Sequence, residues 1–216
     1  LTGYQNLMKL TSLAHLEGWY FRPRIDHRLL EAHKEGLIVL SGCLQGELPQ
    51  AILSGQKERV REIINLYHNL FGEDYFLEVQ HHPHLADQRK VNEVILELSS
   101  TFGIPAVATA DAHYLRKEDQ EAQEILLCIQ TNSKLADPRR FSMSNEIFDL
   151  PPPQEIYQAF RHHPEVVENT LRIADRVLLE IPLGQFVFPH FPLPPGVSAR
   201  EYLREEVQKG LRVKRL

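Results

Sequence analysis

The amino-acid sequence predicts an α/β fold in which parallel strands alternate with helices, as either an open sheet or an α/β barrel. Three short apolar runs alternate with helical segments, and the connections are short, which is the pattern of parallel βαβ units. All three runs pass directly into polar residues, and the carboxyl ends of parallel strands build the active site in α/β barrels. Three strands are too few to close a barrel, so we expect an incomplete barrel whose earlier strands lie upstream of Leu1.

The first part of the chain predicts two helices and one strand. In YQNLMKLTSLAHLEG, leucines recur at helical spacing until Gly18 ends the helix. RIDHRLLEAHK predicts a second, short helix. The run GLIVLSG, residues 36–42, is compact, apolar and flanked by glycines, as is typical of a buried parallel strand.

Two more strands follow, each with its helices. ELPQAILSG leads into QKERVREIINLYHNLFG, which predicts a longer amphipathic helix. DYFLEVQ, residues 74–80, is rich in aromatic and β-branched residues and predicts the second strand. DQRKVNEVILELSSTFG predicts a helix that ends at Gly103. IPAVATA, residues 104–110, predicts the third strand, and EDQEAQEILLCIQTN predicts the helix after it.

The last part of the chain differs in character. PEVVENTLRIADRV predicts an amphipathic helix, and the proline-rich PLGQFVFPHFPLPPG predicts an extended linker. A new helix then begins with Ser198 as its N-cap and Glu201 three residues on, as in a capping box. We therefore expect a main domain over residues 1–190, followed by a linker and the first helix of a further region over residues 191–216.

Composition and charge exclude several classes of protein. The formal charge is −5 over 216 residues, which gives no overall attraction to nucleic acid or membranes. A nucleic-acid contact would need a local basic patch, such as Arg139–Arg140 or the terminal KGLRVKRL. No apolar run approaches the roughly 18 residues that cross a membrane. Two distant cysteines, Cys43 and Cys128, fit neither a zinc motif nor a disulfide scaffold, which indicates a reducing, cytoplasmic location.

Polar residues at the three strand ends form a candidate metal site. Imidazole, thiolate and carboxylate are the ligands that zinc, manganese and iron take in proteins. Alternate residues of an extended segment point the same way, so the Asp and His of DAHY can both face one ion. The candidate residues are Cys43, Glu47, His81, His82, His84, Asp111 and His113.

Each candidate also has an interpretation in which it binds no metal. Asp111 can form an Asx turn that leaves His113 exposed, Cys43 can be a small buried hydrophobic residue, and HHPH can be a solvated loop. Cys128 lies on an apolar helix face, and we assign it no role. We also assign no role to the histidines on or near amphipathic helices or in a connector, which are His15, His27, His33, His68, His162 and His163. Spacing alone leaves both interpretations of the strand ends open.

Several motifs, in the same order along the chain, indicate a family. They are GYQNLMKLTSLAHLEGWYFRPRID, EGLIVLSGCLQGELPQAIL, FGEDYFLEVQHH, GIPAVATADAHYL and LLCIQT. They closely resemble the later part of the N-terminal PHP (polymerase and histidinol phosphatase) domain of bacterial DNA polymerase III alpha subunits, the replicative C-family polymerases. The resemblance continues through ENTLRIADRVLLEIPLG into FPHFPLPPGVSAREYLREE, which looks like the passage into the polymerase palm. It covers nearly the whole chain and implies a fragment.

The resemblance implies a distorted (β/α)7 PHP barrel, TIM-like and here incomplete, followed by a helical and extended connector. Its site would bind up to three divalent metal ions: zinc or manganese, with magnesium or iron as alternatives. The metal ligands in this chain would be Cys43, His82, Asp111 and His113, with His81 as the alternative to His82. No catalytic residue is implied apart from these ligands.

Other residues would complete the implied site. Glu47, on the same loop as Cys43, would lie beside the ligands without binding metal. The further ligands of the family, which include an H-x-H motif, are not in this chain, so it would carry only part of the site.

The resemblance also implies a function. The parent protein would be a DNA-directed DNA polymerase, a nucleotidyltransferase whose catalytic carboxylates we expect beyond residue 216. The PHP site would hydrolyse DNA 3′ ends as a 3′–5′ exonuclease suited to proofreading. The alternatives are a structural metal-binding module that supports the polymerase and its partner subunits, and a stand-alone PHP phosphatase. Expected partners are primer–template DNA, the sliding clamp and a proofreading subunit, with no membrane.

Overall fold

Two compact units make up the chain, Leu1–Leu179 and Glu180–Leu216. The domain boundary that the sequence predicts, after residue 190, lies inside the second unit. The computed structural model describes residues 1–181, 183–184, 186 and 188–214. Within these residues, no helix combines the length and the apolar character needed to cross a membrane.

Helices and strands alternate along the chain, as the sequence predicts. The helices are α1 (Thr2–Leu16), α2 (His27–Ala32), α3 (Glu47–Leu53), α4 (Lys57–Phe71), α5 (Ala86–Phe102), α6 (Gln120–Gln130), α7 (Pro153–Ala159), α8 (Pro164–Arg176) and α9 (Ala199–Val213). The strands are β1 (Trp19–Tyr20), β2 (Arg22–Pro23), β3 (Val39–Leu40), β4 (Tyr75–Gln80) and β5 (Ala106–Thr109). Short 3-10 turns, Gly72–Asp74 and Lys117–Asp119, precede β4 and α6.

A three-stranded parallel sheet, in the order β3–β4–β5, forms the centre of the first unit. The predicted α/β class with parallel strands is confirmed, although the first strand is reduced from residues 36–42 to Val39–Leu40. The sheet is open in the part of the chain that the structure describes, and the incomplete (β/α)7 barrel that the resemblance implies stays a prediction.

The two faces of this sheet differ in chemistry, because side chains alternate along a strand. Tyr75, Leu77 and Val79 of β4 belong to the main apolar core, together with residues of α3, α4, α5 and α8. The intervening Glu78 and Gln80 lie on the opposite face, where Gln80 is only 3% exposed. Polar side chains buried in this way need hydrogen-bond partners, which makes this face the place to look for a site.

Side chains of α8 bond the outer edge of β5. Asn169 donates from Nδ2 to the carbonyl of Ala106 at 2.6 Å, and the Thr170 hydroxyl donates to the carbonyl of Ala108 at 2.9 Å. β4 bonds instead to the carbonyl of Pro105, on the other side of the strand. An open strand edge presents unpaired backbone groups to other chains, and α8 occupies two of them here.

A two-stranded hairpin that the sequence analysis did not predict follows α1. β1 and β2 pair antiparallel, with Tyr20 opposite Arg22. Phe21 forms the tip, with a φ of 59°. Tight hairpin turns usually carry Asn-Gly or Asp-Gly, and WYFRPR contains neither, so the sequence carries no hairpin signal.

The second unit confirms the predicted capping box of α9. The N–H of Glu201 donates to Ser198 Oγ at 3.3 Å, and the N–H of Ser198 donates to Glu201 Oε2 at 3.0 Å. The described residues of the proline-rich linker form neither helix nor strand. Outside the described residues lie Pro182, Gln185 and Val187 of the linker, and Arg215 and Leu216 of the terminal basic segment.

Candidate metal centre

Three of the predicted ligands meet at the carboxyl ends of β4 and β5. His82 Nε2 lies 3.2 Å from Asp111 Oδ2, and His113 Nε2 lies 3.3 Å from Asp111 Oδ1. The carboxylate thus lies between two imidazoles, and we call these three residues the His–Asp–His cluster. The cluster reaches from the interior to the surface, because side-chain exposure rises from 2% for His82 to 25% for Asp111 and 39% for His113.

Parallel strand pairing brings the cluster together. Gln80 and Thr109, the last residues of β4 and β5, lie opposite each other, and His82 and Asp111 each follow two residues later. Asp111 has a φ of 49°, in the left-handed region that Asp tolerates better than most residues. Asp111 and His113 therefore meet through a turn, and not through the extended segment that the sequence suggested.

Glu78, which the sequence analysis did not single out, forms several hydrogen bonds on the polar face of β4. Its Oε2 accepts from the N–H of Gly42 at 3.1 Å, and its Oε1 accepts from Gln80 Nε2 at 3.0 Å and from the Thr109 hydroxyl. It therefore ties the loop after β3 to the ends of β4 and β5. A signal was present, since Glu and Gln interrupt the apolar strand DYFLEVQ at alternate positions.

Phe148 forms a wall of the cluster. Its ring centroid lies 4.8 Å from that of His82 and 5.4 Å from that of His113. Its carbonyl accepts from the N–H of His113 at 2.8 Å, and its own N–H donates to the Tyr114 hydroxyl oxygen at 2.8 Å. Phe148 is 8% exposed, so it shields one side of both imidazoles from water. It lies in the irregular segment after α6, where no periodicity indicates a role.

Cys43 lies in the loop after β3, beyond the contacts of the cluster. Its thiol is free and half-buried. In the described part of the chain, no hydrogen bond or ion pair joins this thiol to a member of the cluster. The preceding residue, Gly42, bonds to Glu78, and this bond holds the Cys43 loop at the polar face of the sheet.

Glu47 and His81 make other contacts. Glu47 begins α3 and is exposed, and its Oε1 lies 3.5 Å from His27 Nε2. His81 turns towards Phe160, with ring centroids 6.5 Å apart, and burial lowers the pKa of its imidazole. Of the two neighbouring histidines, His82 is thus the one that contacts Asp111.

The donors of the cluster suit a divalent transition metal, although they do not complete a site. Two imidazoles and a carboxylate are typical ligands of zinc and manganese, and a catalytic zinc takes three protein ligands. Across the described residues, no group of three or more His, Cys, Asp and Glu side chains is arranged to hold a metal ion. His82 Nδ1 is buried and has no hydrogen-bond partner there. A buried unpaired nitrogen is costly, so this atom lacks a partner that the rest of the fold would be expected to supply.

A surface cleft of about 540 Å³ opens beside His82. Gln80, Arg89, Phe160 and His162 are among its other lining residues. Small-molecule sites typically measure about 300–1,000 Å³, so the cleft has room for a small ligand next to the cluster.

Comparison with known proteins agrees with the motifs. The family profile described as the PHP domain matches residues 1–82. That match ends at His82, so Asp111 and His113 lie beyond it.

Curated relatives align with almost the whole chain. The DNA polymerase III subunit alpha of Treponema pallidum is 45% identical over 212 residues, covering 97% of this chain and 18% of the relative. That of Thermus aquaticus is 41% identical over 216 residues, with the same coverage. That of Deinococcus radiodurans is 40% identical over 214 residues, covering 96% of this chain and 16% of the relative. The chain thus spans less than a fifth of the length of these relatives. It belongs to the family of DNA polymerase III alpha subunits, as a segment that contains part of a PHP domain.

Proposed function

We propose that this chain is part of a DNA-synthesising subunit that acts in replication, and that its His–Asp–His cluster contributes to a metal-dependent site that hydrolyses DNA 3′ ends. The relatives, named DNA polymerase III subunit alpha, support the first part. One observation carries the second part: the Asp111 carboxylate lies between two imidazoles at the ends of two parallel strands. Removal of 3′-terminal nucleotides would let such a protein correct its own errors.

The cluster would hold the metal, and Cys43 would add a thiolate from the loop after β3. When bound, the metal would lower the pKa of a coordinated water and neutralise charge on the phosphate oxygens. Glu78 keeps the Cys43 loop against the sheet through the Gly42 amide. Phe148 shields the imidazoles and fixes the backbone of His113. Ligands from outside this chain would complete the site, for up to three ions.

The cleft beside His82 would receive the terminal nucleotide. Its volume of about 540 Å³ suits a small ligand. Arg89 supplies a cation for a phosphate, although it also donates to the Pro83 carbonyl at 2.8 Å. Primer–template DNA, the sliding clamp and a proofreading subunit are the partners that we propose for the whole protein.

A structural role for the metal is the alternative that a specific observation favours. Across the described residues, no three or more His, Cys, Asp and Glu side chains are arranged to hold an ion, and His82, at the inner end of the cluster, is almost fully buried. In that case the metal would stabilise the domain, which would support the polymerase and its partner subunits. Nothing in the comparisons favours a stand-alone PHP phosphatase, because the relatives that align with the whole chain are alpha subunits.

Hydrolysis by the intact alpha subunit tests the proposal. Single-stranded DNA labelled at its 3′ end is incubated with Mn²⁺ and without deoxynucleotides, and release of the labelled nucleotide is measured. We expect Asp111→Asn to slow this release at least about tenfold, whereas Asp175→Asn, at an exposed position on α8, leaves it unchanged. Equal rates for the wild type and Asp111→Asn would remove the cluster from the hydrolytic site. Absence of hydrolysis in the wild type, with a melting temperature that depends on metal, would favour the structural alternative.

A further inference from the structure

We propose that Glu146 is a positioning residue for the His–Asp–His cluster. It lies in the irregular 141–149 segment, between α6 and α7, which also carries Phe148. Its side chain is 4% exposed, and its carboxylate bonds the loop after β4, which carries His82. The inference rests on the proposed metal centre, because it concerns how the ligands of that centre are held in place.

Two backbone N–H groups converge on the Glu146 carboxylate. The N–H of His84 donates to its Oε2 at 2.9 Å, and the N–H of Ile147 donates to its Oε1 at 2.9 Å. The two oxygens of a carboxylate only accept hydrogen bonds, so this group satisfies both donors at once. A glutamine would turn its amide N–H groups towards one of the donors and lose that bond. The arrangement therefore requires a carboxylate.

The backbone of Glu146 is fixed as well. Gln120 Nε2, at the start of α6, donates to the Glu146 carbonyl at 2.9 Å. Two residues further along, the Phe148 ring packs on the imidazoles of His82 and His113. One short segment thus contacts the loops after both strands that supply the cluster.

Packing alone does not fix the loop after β4, because two cavities border it. The cleft of about 540 Å³ is lined in part by His81, His82 and Pro83. A smaller polar cavity of about 90 Å³ is lined in part by His81, Pro83, His84 and Glu146. A void offers no atoms for van der Waals contact, so hydrogen bonds set the position of this loop.

Two side chains supply these hydrogen bonds, and they tie the loop to different parts of the fold. Arg89 Nη1 donates to the Pro83 carbonyl at 2.8 Å, which ties the loop to α5, the helix that follows it. The bond from His84 to Glu146 crosses instead to the segment whose Phe148 carbonyl accepts from the N–H of His113. Glu146 therefore sets the loop of His82 relative to the residues around Asp111.

Hydrogen–deuterium exchange of the intact alpha subunit in EDTA, followed by mass spectrometry of overlapping peptides, measures this positioning without metal. In Glu146→Ala the His84 amide loses its acceptor and should exchange at least about tenfold faster. The His113 amide keeps its own acceptor, the Phe148 carbonyl. If Glu146 positions the segment, this amide should still exchange at least about threefold faster. A purely local role would leave it unchanged.

Glu146→Gln and a matched control accompany the alanine variant. Glu146→Gln keeps the size of the side chain and one of the two bonds, so we expect the same effects to a smaller degree. Glu155→Gln removes a carboxylate from the wall of the same small cavity. Within the described residues that carboxylate accepts no hydrogen bond, so both amides should exchange as in the wild type. Peptides from α4 and α5 show whether the core stays folded, and Glu146→Gln decides if the alanine variant unfolds.

The Zn²⁺ affinity of the same proteins, measured by competition with a chromophoric chelator, links the positioning to the cluster. Asp111→Asn is the reference that identifies binding at the cluster. We expect both Glu146 variants to bind Zn²⁺ at least about threefold more weakly than the wild type, because the loop that carries His82 is no longer fixed. Glu155→Gln should bind as the wild type does.

The results separate this inference from the proposed function. Unchanged exchange of the His113 amide in a folded Glu146 variant would overturn the inference, even if Asp111→Asn weakens Zn²⁺ binding. Equal Zn²⁺ affinity in the Glu146 variants and the Glu155 control would do the same. Equal affinity in the wild type and Asp111→Asn would show that the cluster is not a metal centre, and the inference would fail with it.

Discussion

Asp111 combines two roles in one residue. Its carboxylate contacts His82 and His113 through different oxygens, and its backbone makes the left-handed turn that directs it there. A residue in this region of φ and ψ carries strain, and such strain persists where the surrounding structure holds it in place. Here Phe148 fixes the backbone just after Asp111, because its carbonyl accepts a hydrogen bond from the N–H of His113.

Replacement of Phe148 by alanine should destabilise the first unit and loosen the cluster. The ring is 8% exposed and packs on both imidazoles, so we expect the free energy of unfolding to fall by about 3 kcal/mol. Urea denaturation measures this loss. Phe148→Leu should recover more than half of it, because a large apolar side chain remains.

Phe141→Ala is the matched control, since that ring is 59% exposed. Its free energy of unfolding should stay within about 0.5 kcal/mol of the wild type. Equal losses of unfolding free energy for the two alanine variants would mean that Phe148 does not pack against the cluster as we infer.

For the cluster, the sequence predicts which types of residue are present more reliably than it predicts which of them contact one another. The D-x-H motif and the histidines after β4 could be predicted as candidate metal ligands, because they directly follow apolar strands, where α/β barrels place their active-site residues. The link between His82 and Asp111 depends on the pairing of Gln80 with Thr109, which no local pattern reveals. Phe148 could not be found from sequence alone, because its segment has no regular period.

At the scale of elements, α6 fixes the segment that carries Phe148. The buried Glu124 on α6 accepts from Arg140, from the Ser142 hydroxyl at 2.7 Å and from the N–H of Met143 at 2.8 Å. Burial would raise the pKa of this carboxyl, but the bonds from Met143, Ser142 and Arg140 hold the pKa below its usual value. The irregular segment after α6 is thus anchored by one ionised group.

The stability that Glu124 contributes should depend on pH. Its pKa is lower in the folded than in the unfolded protein, so the ionised form stabilises the fold above the unfolded value, about 4.3. This contribution is lost as pH falls through the folded pKa. We expect Glu124→Gln to cost about 3 kcal/mol at pH 7, because Arg140 loses its partner, and the cost should shrink below about pH 5.

Unfolding by urea at several pH values measures this cost. Glu121→Gln, an exposed change on the same helix, is the control and should have little effect at any pH. A cost for Glu124→Gln that stays constant into the acid range would contradict the anchoring that we assign to this carboxylate.

Long elements with a strong period were predictable, and short ones were not. Amphipathic spacing correctly predicts the helices α4, α5 and α8. The observed range of β4 differs from the predicted range by one residue. β3 is shorter than predicted because only two of its residues pair with β4. The sequence did not predict the hairpin, because its strands are only two residues long and show no alternation of apolar residues. They depend instead on the close contact between Gly18 and Arg24.

At the scale of the whole molecule, the chain carries a cluster of candidate ligands and a segment that contacts the loops around it. The His–Asp–His cluster offers a carboxylate and two imidazoles, and the 141–149 segment bonds the loops after β4 and β5. The chain spans less than a fifth of its relatives, so both features would act within a larger protein.

Binding of Zn²⁺ to the 216-residue chain, measured by isothermal titration calorimetry, tests whether the His–Asp–His cluster contributes to a metal site. The decisive variant combines Asp111→Asn, which keeps the shape of the side chain, with His113→Ala. The matched control combines Asp175→Asn with His68→Ala, at exposed positions on other elements. We expect the wild-type and control chains to bind the ion, and the cluster variant to bind it at least about tenfold more weakly. Equal affinity and stoichiometry in all three proteins would show that Asp111 and His113 do not bind the metal.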